Sequence, residues 1–283
     1  MLAIIKCVVK ACEQLKIPYR FFDENQNFLG IELPAPYYFV NFATPFGRQD
    51  LARIYKDKVY TFQLLHTVIR TPFTRGFLDP LCRESYRHYV QVPTYEKIVA
   101  AILEQFTRPV IVKRNQGTRG TNVFLCHDEA EIAKALTAIF NKNRKEYDYI
   151  AVAQEYIPIY QEFRVILFSG EILLVYQKDI QHANFVGNLS PLHWENARAV
   201  LVTDNERIGQ IKAFLTPLQT IISGQFLGLD LILATDNNWW LLEINSQPDF
   251  EIFIRDNGDA RVVDIFKTML LTLKNDQNKN QLS

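Results

Sequence analysis

Residues 241–251 read LLEINSQPDFE, and inside that apolar strand pattern stand Glu243 and Asn245. Side chains two apart on a strand share a face, so a carboxylate and an amide oxygen point the same way. A third oxygen donor, Asp230, interrupts the apolar run GLDLIL, on the segment that would pair with LLEIN. An aspartate among leucines and isoleucines requires a partner, because burying a lone charge is costly. A solvated edge strand accounts for the E-x-N pair taken alone. Hard ligands for a divalent cation account for all three residues, and three such oxygens can hold one or two Mg²⁺ on a nucleotide's phosphates.

Two upstream stretches supply the phosphate and base contacts that such a site needs. VIVKRNQGTRGTNVFL sets Lys113 on an apolar strand that enters a loop carrying Gly117, Thr118 and Gly120, then leaves by another strand. Backbone N–H groups of a glycine turn can close over phosphate oxygens, and Lys113 would add a fixed positive charge. The GxxxxGK[ST] order is absent and no helix follows, so this is not a P-loop. A tight hairpin with an edge lysine is the alternative reading. VAQEYIPIYQEFRVIL then ends an apolar strand in Gln154, Glu155, Tyr156 and Ile157, with Glu162 and Arg164 beyond. Main-chain groups there can read a purine edge between the Tyr156 and Ile157 walls. Glu162 can accept from ribose hydroxyls, and Arg164 can clamp a phosphate with its two-pronged donor. The alternative is a half-exposed alternating strand.

The elements that must position these residues follow from periodicity. Residues 2–16 have helical spacing, and IPYRFF, FLGIEL and YYFVNF read as short strands. Helix is expected over 48–68, a strand over IRTPFT, and an irregular segment over 77–93. From Thr94 a helix, the Lys113 strand, the glycine turn, VFLCH, and a helix capped by Asp128 succeed one another. YIAVAQEYI is a strand, and EFRVILFSGEILLVYQKDI is a hairpin turning at Ser169-Gly170. Pro217 predicts a kink or restart in the helix over 205–223. GLDLILA and WWLLEIN close the core as paired strands. The mixture of hairpins and helices makes the fold class α+β.

Composition narrows the class of protein. Of 283 residues 48% are hydrophobic, enough for one large domain or two or three lobes. Lys plus Arg and Asp plus Glu are both 31, so no basic nucleic-acid-binding surface is expected. Cys7, Cys12, Cys82 and Cys126 have neither CxxC spacing nor a histidine array, as for free thiols in a reducing compartment. No signal peptide or membrane-spanning run is read, and the expectation is a soluble, cytoplasmic protein without nucleic-acid or membrane partners.

The order of motifs, lysine with glycine loop, then QEYI…E-x-R, then D…E-x-N, resembles the ATP-grasp superfamily. Within it the chain is similar to the carboxylate–amine ligases of the ribosomal-protein S6 glutamate ligase and cyanophycin synthetase kind. VVKACEQLKIPYRFF…FLG and KDKVYTFQLLHTVIRTPFT extend the likeness toward the start, so that it covers most of residues 1–270. The resemblance implies an ATP-grasp fold of two lobes clasping the nucleotide. A reduced lobe and linker would cover 1–93, a small subdomain 94–153, a large one 154–275, and a polar, frayed tail 276–283.

The resemblance also implies roles. Lys113 would contact the α- and β-phosphates, with Lys58 near the nucleotide and the 116–121 loop folding over it. Glu155 and Ile157 would offer main-chain groups to adenine, Glu162 would hold the ribose, and Asp230, Glu243 and Asn245 would hold two Mg²⁺, with Mn²⁺ able to substitute. Arg164, Lys178 and Asn188 would face the transferred phosphate. The implied reaction joins a small-molecule or peptide carboxylate to an amine donor, in a chain able to form a homodimer. Two departures fall in the acceptor region. Val186 stands where the family has an arginine two residues before the asparagine, and Pro248-Asp249 stands where Pro-Gly is usual. A phosphotransferase acting on a hydroxyl, and a nucleotide-binding regulator without turnover, remain alternatives.

Overall fold

The structure is a computed structural model that describes residues 1–117, 120–186 and 190–281. The amphipathic opening run forms α1 (Ala3–Leu15), and β1 (Tyr19–Phe21), β2 (Phe28–Ile31) and β3 (Tyr37–Val40) pair antiparallel behind it. The helical run expected over 48–68 divides at Asp57 into α2 (Gln49–Lys56) and α3 (Lys58–Leu65). Asp57 caps the second helix by accepting from the Tyr60 N–H at 2.9 Å. The strand expected over IRTPFT begins only at Thr74, because Pro72 has no N–H to give a ladder. It is β4 (Thr74–Leu78), and a 3₁₀ segment at Glu84–Tyr89 follows.

Next come α4 (Tyr95–Gln105), β5 (Val110–Arg114), β6 (Val123–Cys126), α5 (Glu129–Ile139) and β7 (Ile150–Glu155). Asp128 caps α5 as expected, accepting from the Glu131 N–H at 2.8 Å. These strands make a small sheet in the order β4-β7-β5-β6, so β4 joins it from the segment read as linker. One face packs on α4 and α5 through Val110, Val112, Ala151 and Ala153, among others. The alternation of the strands turns Lys113 and Gln154 to the other face.

The large sheet runs β10-β9-β8-β11-β12 and is antiparallel throughout. Its strands are β8 (Ile159–Phe168), β9 (Glu171–Asp179), β10 (Arg198–Leu201), β11 (Phe226–Ala234) and β12 (Trp239–Asn245). Ser169 and Gly170 turn the β8–β9 hairpin with φ of 52° and 86°, the left-handed pair that a two-residue hairpin loop requires. Before β11, α6 (Asn205–Leu215) ends and a 3₁₀ turn holding Pro217 restarts the chain as α7 (Gln219–Ile222). Helices α2, α3, α6 and α7 cover one face of this sheet.

Two helices that were not anticipated close the chain, α8 (Glu251–Asn257) and α9 (Ala260–Gln281). With α1 and the first sheet they cover half of the other large-sheet face, packing on Ile166, Phe168, Tyr176 and Phe226. Residues expected as a polar tail from 276 are helical through Gln281 instead. A nucleated helix extends at one hydrogen bond per added residue, so α9 runs on past its packed turns. The uncovered half of that sheet face, opposite the small sheet, carries the polar residues.

Candidate functional site

Asp230 is flanked across the ladder by Arg164 on β8 and Glu243 on β12, which confirms the strand pairing expected from sequence. Arg164 grips Asp230 with both prongs, Nε to Oδ1 at 2.7 Å and Nη2 to Oδ2 at 3.0 Å. The Lys178 ammonium reaches the same carboxylate at 2.8 Å and also donates to Glu162. Gly228 makes room for this arrangement. A Cβ there would lie 2.9 Å from the Pro248 Cβ and 3.2 Å from the Arg164 Nη1. A bulge between Asp230 and Leu231 keeps Glu243 on this face and swings Leu242 toward an apolar patch. That patch joins Ile157, Ile232 and Ala234 to Trp240 and Leu242.

The four charged groups of β8, β9 and β11 share one buried environment. Burial works against ionising Asp230, but Arg164 and Lys178 outweigh it and hold the carboxyl below its ordinary value. Burial raises Glu162, which has Lys178 as a partner but Asp230 as a like-charged neighbour. Burial opposes the charge of Arg164 and Lys178 as well. The Asp230 carboxylate, joined by Glu162 at Lys178, keeps both above their usual ranges.

Across the cleft, Lys113 donates to Gln154 Oε1 at 2.7 Å, and Gln154 Nε2 donates to Thr74 Oγ1 at 2.9 Å. Among the described residues no acid lies within ion-pair distance of this lysine. Burial, followed by repulsion from Lys58, pulls its ammonium down to about 7, with Glu243 opposing. The positive charge expected at Lys113 is thus weakened in the ligand-free cleft. Without a ligand it is a titrating group, because a neutral amide cannot offset desolvation.

Lys58 connects the two sides. Its Nζ donates to the Gly117 carbonyl at 3.0 Å and the Asn115 carbonyl at 3.3 Å, and lies 3.6 Å from Glu243. The fully buried Asn115 places it, donating to Asp57 Oδ2 at 2.6 Å and accepting from the Val59 N–H at 3.2 Å. Gly76 allows that approach, since a Cβ on it would meet Val59 Cγ2 at 2.6 Å.

The remaining expected residues fall around this cleft. Gly120 has φ of 68°, a left-handed turn residue as a glycine loop requires. Glu155 sits where β7 ends, its N–H donating to the Phe73 carbonyl at 2.9 Å and its carboxylate accepting from the Phe73 N–H at 3.1 Å. Tyr156 is half exposed and Ile157 buried, so only the isoleucine joins the apolar patch. Thr118 and Asn188 lie outside the described residues. Asn115, Gly228 and Trp240 were missed as site residues. A buried asparagine before the glycine loop and a glycine two residues before Asp230 were the available signals.

Among the described residues no three His, Cys, Asp or Glu side chains gather as a metal site. Mg²⁺, however, is commonly held by one or two carboxylates together with substrate phosphates. Asp230 Oδ2 accepts strongly only from Arg164, the Asn245 amide being a long 3.4 Å contact. Turning that amide would present its oxygen in place of its nitrogen. With Glu243 in register and 36% exposed, the donor set fits a cation shared with a nucleotide.

Comparison with known proteins bears on the family and the fold. The model of the RimK-like ATP-grasp domain matches residues 87–270. A protein of Aeromonas salmonicida (strain A449) named "Probable alpha-L-glutamate ligase" is 24% identical over 149 residues, 50% of this chain and 44% of that protein. The chain thus spans about half the length of this curated relative. A bifunctional glutathione synthetase from Pasteurella multocida superposes with a TM-score of 0.57 at 17% identity, over 96% of this chain and 44% of that one. The biotin carboxylase domain of the Hydrogenobacter thermophilus 2-oxoglutarate carboxylase, in complex with MgADP and bicarbonate, gives 0.53 at 15% identity, over 77% and 45%. At these identities the structures establish a shared ATP-grasp fold.

Proposed function

The chain belongs to the RimK-like ATP-grasp family, and on that premise we propose that it joins a carboxylate to an amine at the expense of ATP. The observation that carries this reading is the reach of Lys58, which ties the Gly117 carbonyl of the glycine loop to Glu243 of the E-x-N motif, while Arg164 of the E-x-R motif holds Asp230 beside it. The apolar patch around Ile157, Ile232 and Leu242 would hold the purine, with main-chain groups at Glu155 and Ile157 reading its edge. Glu162 would accept from the ribose, Lys113 would meet the α- and β-phosphates, and the loop holding Gly117, Thr118 and Gly120 would close over them.

Asp230, Glu243 and Asn245 would hold one or two Mg²⁺, or Mn²⁺, which when bound neutralise the triphosphate and polarise its γ-phosphoryl group. Arg164 and Lys178 are already fixed by Asp230 and Glu162, so their charge meets the developing phosphoryl charge without reorganisation. A carboxylate oxygen of the acid attacks the γ-phosphorus, giving an acyl phosphate and ADP. The amine nitrogen then attacks the acyl carbon, phosphate leaves, and the amine proton passes to solvent or to phosphate. Asn188 would shield that intermediate from water. We place the reaction in the cytoplasm, on small-molecule or peptide substrates, by a monomer or a homodimer.

Trapping tests the reading. An acyl phosphate is a mixed anhydride, so hydroxylamine should yield a hydroxamate when Mg²⁺, ATP and the acid are present without the amine. A phosphate ester made by a hydroxyl kinase would leave hydroxylamine unreacted. Phosphate release and an amide product, without hydroxamate from the identified acid, would overturn the acyl phosphate route.

A further inference from the structure

The face of the large sheet turned away from the phosphate-facing cluster carries a second concavity, of about 650 Å³, at the tip of the β11–β12 hairpin. That volume lies within the range of small-molecule sites. Its floor and walls are Leu233, Trp239, Phe214 and Tyr160. Phe163 lies under Trp239, ring centroids 5.3 Å apart, and Phe214 stands 6.4 Å from the same indole. One charged side chain lines it. The Arg207 guanidinium lies 5.6 Å over Trp239 and 5.8 Å from the Phe163 ring centre. Among the described residues Arg207 is within ion-pair distance of no carboxylate; it donates to the neutral Gln210 Oε1 at 3.2 Å.

The other polar groups on the lining residues are the Tyr160 hydroxyl, the Trp239 indole N–H and the amides of Gln210 and Asn237.

From these groups we infer that the groove binds a small aromatic carboxylate. The lone guanidinium selects a single negative charge and can meet it with two parallel hydrogen bonds. The aromatic walls select a flat ring, by offset or edge-to-face contact. The sheet separates this groove from the reacting phosphates. Leu233 and Trp239 face the groove, whereas Ile232, Ala234 and Trp240 face the apolar patch on the other side. The bound acid is therefore not the one activated by ATP.

Anthranilate combines the single negative charge and the flat ring and is the probe for calorimetric titration of the whole protein without nucleotide. One-to-one binding is expected, with aniline and cyclohexanecarboxylate each weaker by about tenfold or more. Arg207→Gln should weaken anthranilate by about tenfold or more. Asn237→Asp, at a turn position of φ 63° that aspartate tolerates, should also weaken it by placing a like charge at the rim. Saturating MgATP should leave the one-to-one stoichiometry in place. The inference falls if anthranilate gives no saturable heat at millimolar concentration, if both variants bind it as the parent does, or if MgATP displaces it. None of these readouts depends on ligase turnover.

Discussion

On the large sheet every cation of the cleft has an acid: Arg164 and Lys178 share Asp230, and Lys178 also holds Glu162. On the small sheet, among the described residues, Lys113 donates to the neutral Gln154 amide alone, and burial followed by repulsion from Lys58 pulls it down to about 7. The large sheet is thus pre-organised, its dipoles and charges fixed by cross-strand register before any ligand arrives. On the proposed reading the small sheet would be responsive, Lys113 regaining its full charge when a phosphate takes the place of an acid. Lys58 stands between the two, bound to loop carbonyls on one side and near Glu243 on the other. A clasp that closes on a nucleotide needs both kinds of surface, one to define the geometry and one to reward the ligand.

The comparison breaks most visibly at Asp230. Asp230→Ala would leave Arg164 and Lys178 buried with Glu162 as the one remaining ion-pair partner among the described residues, at a cost of about 3–5 kcal/mol in denaturant unfolding. A loss below about 1 kcal/mol would mean that the pairs are solvated like surface ones. The sign of its pH dependence follows from the lowered carboxyl. The stabilisation is complete above the ordinary aspartate range and is lost as pH falls through the lower folded value. Glu243→Gln is next in size. The side chain is partly exposed and only loosely paired, so stability should stay within about 0.5 kcal/mol while turnover falls about 100-fold. Turnover within about threefold of the parent, worth under about 1 kcal/mol, would remove Glu243 from the cation site.

Lys58→Ala tests the connection itself. Hydrogen bonds from a charged donor are worth about 1.5–3 kcal/mol, so freeing the Gly117 and Asn115 carbonyls should raise KM for ATP about tenfold or more. Adenosine binding should be unchanged, since the purine patch does not touch Lys58. Equal weakening of both ligands would show that the variant disturbs the fold around Asn115 instead.

The pre-organised half was the more legible in sequence. Asp230, Glu243 and Asn245 stand out because carboxylates and amides are out of place in apolar strands, and period-2 alternation put them on one face. Their partners were not legible. Arg164 and Lys178 reach Asp230 across strand neighbours, and a chain read one residue at a time carries no cross-strand distances. The state of Lys113 was hidden for the same reason, because its burial, and the Lys58 that comes to it from 55 positions earlier in the chain, belong to the tertiary structure. Helix α9 could have been read from Val262, Ile265, Phe266 and Met269, whose spacing is helical.

The smallest effect at neutral pH, and the sharpest test of the responsive half, concerns the Lys113 proton. In the free cleft this ammonium titrates at about 7, below its ordinary 10.5, and bound phosphate would favour the charged form. Nucleotide binding above pH 7 should therefore take up most of one proton, seen as a heat that varies with the ionisation enthalpy of the buffer. By linkage, ATP affinity should fall by about tenfold per pH unit above that value, where ATP itself has finished titrating. Lys113→Arg keeps a charge that does not titrate in this range. It should bind ATP within about twofold of the parent at pH 7, with an affinity that stays flat to pH 9. An equally steep fall in Lys113→Arg would assign the proton to another group, and the small sheet would then be as fixed in charge as the large one.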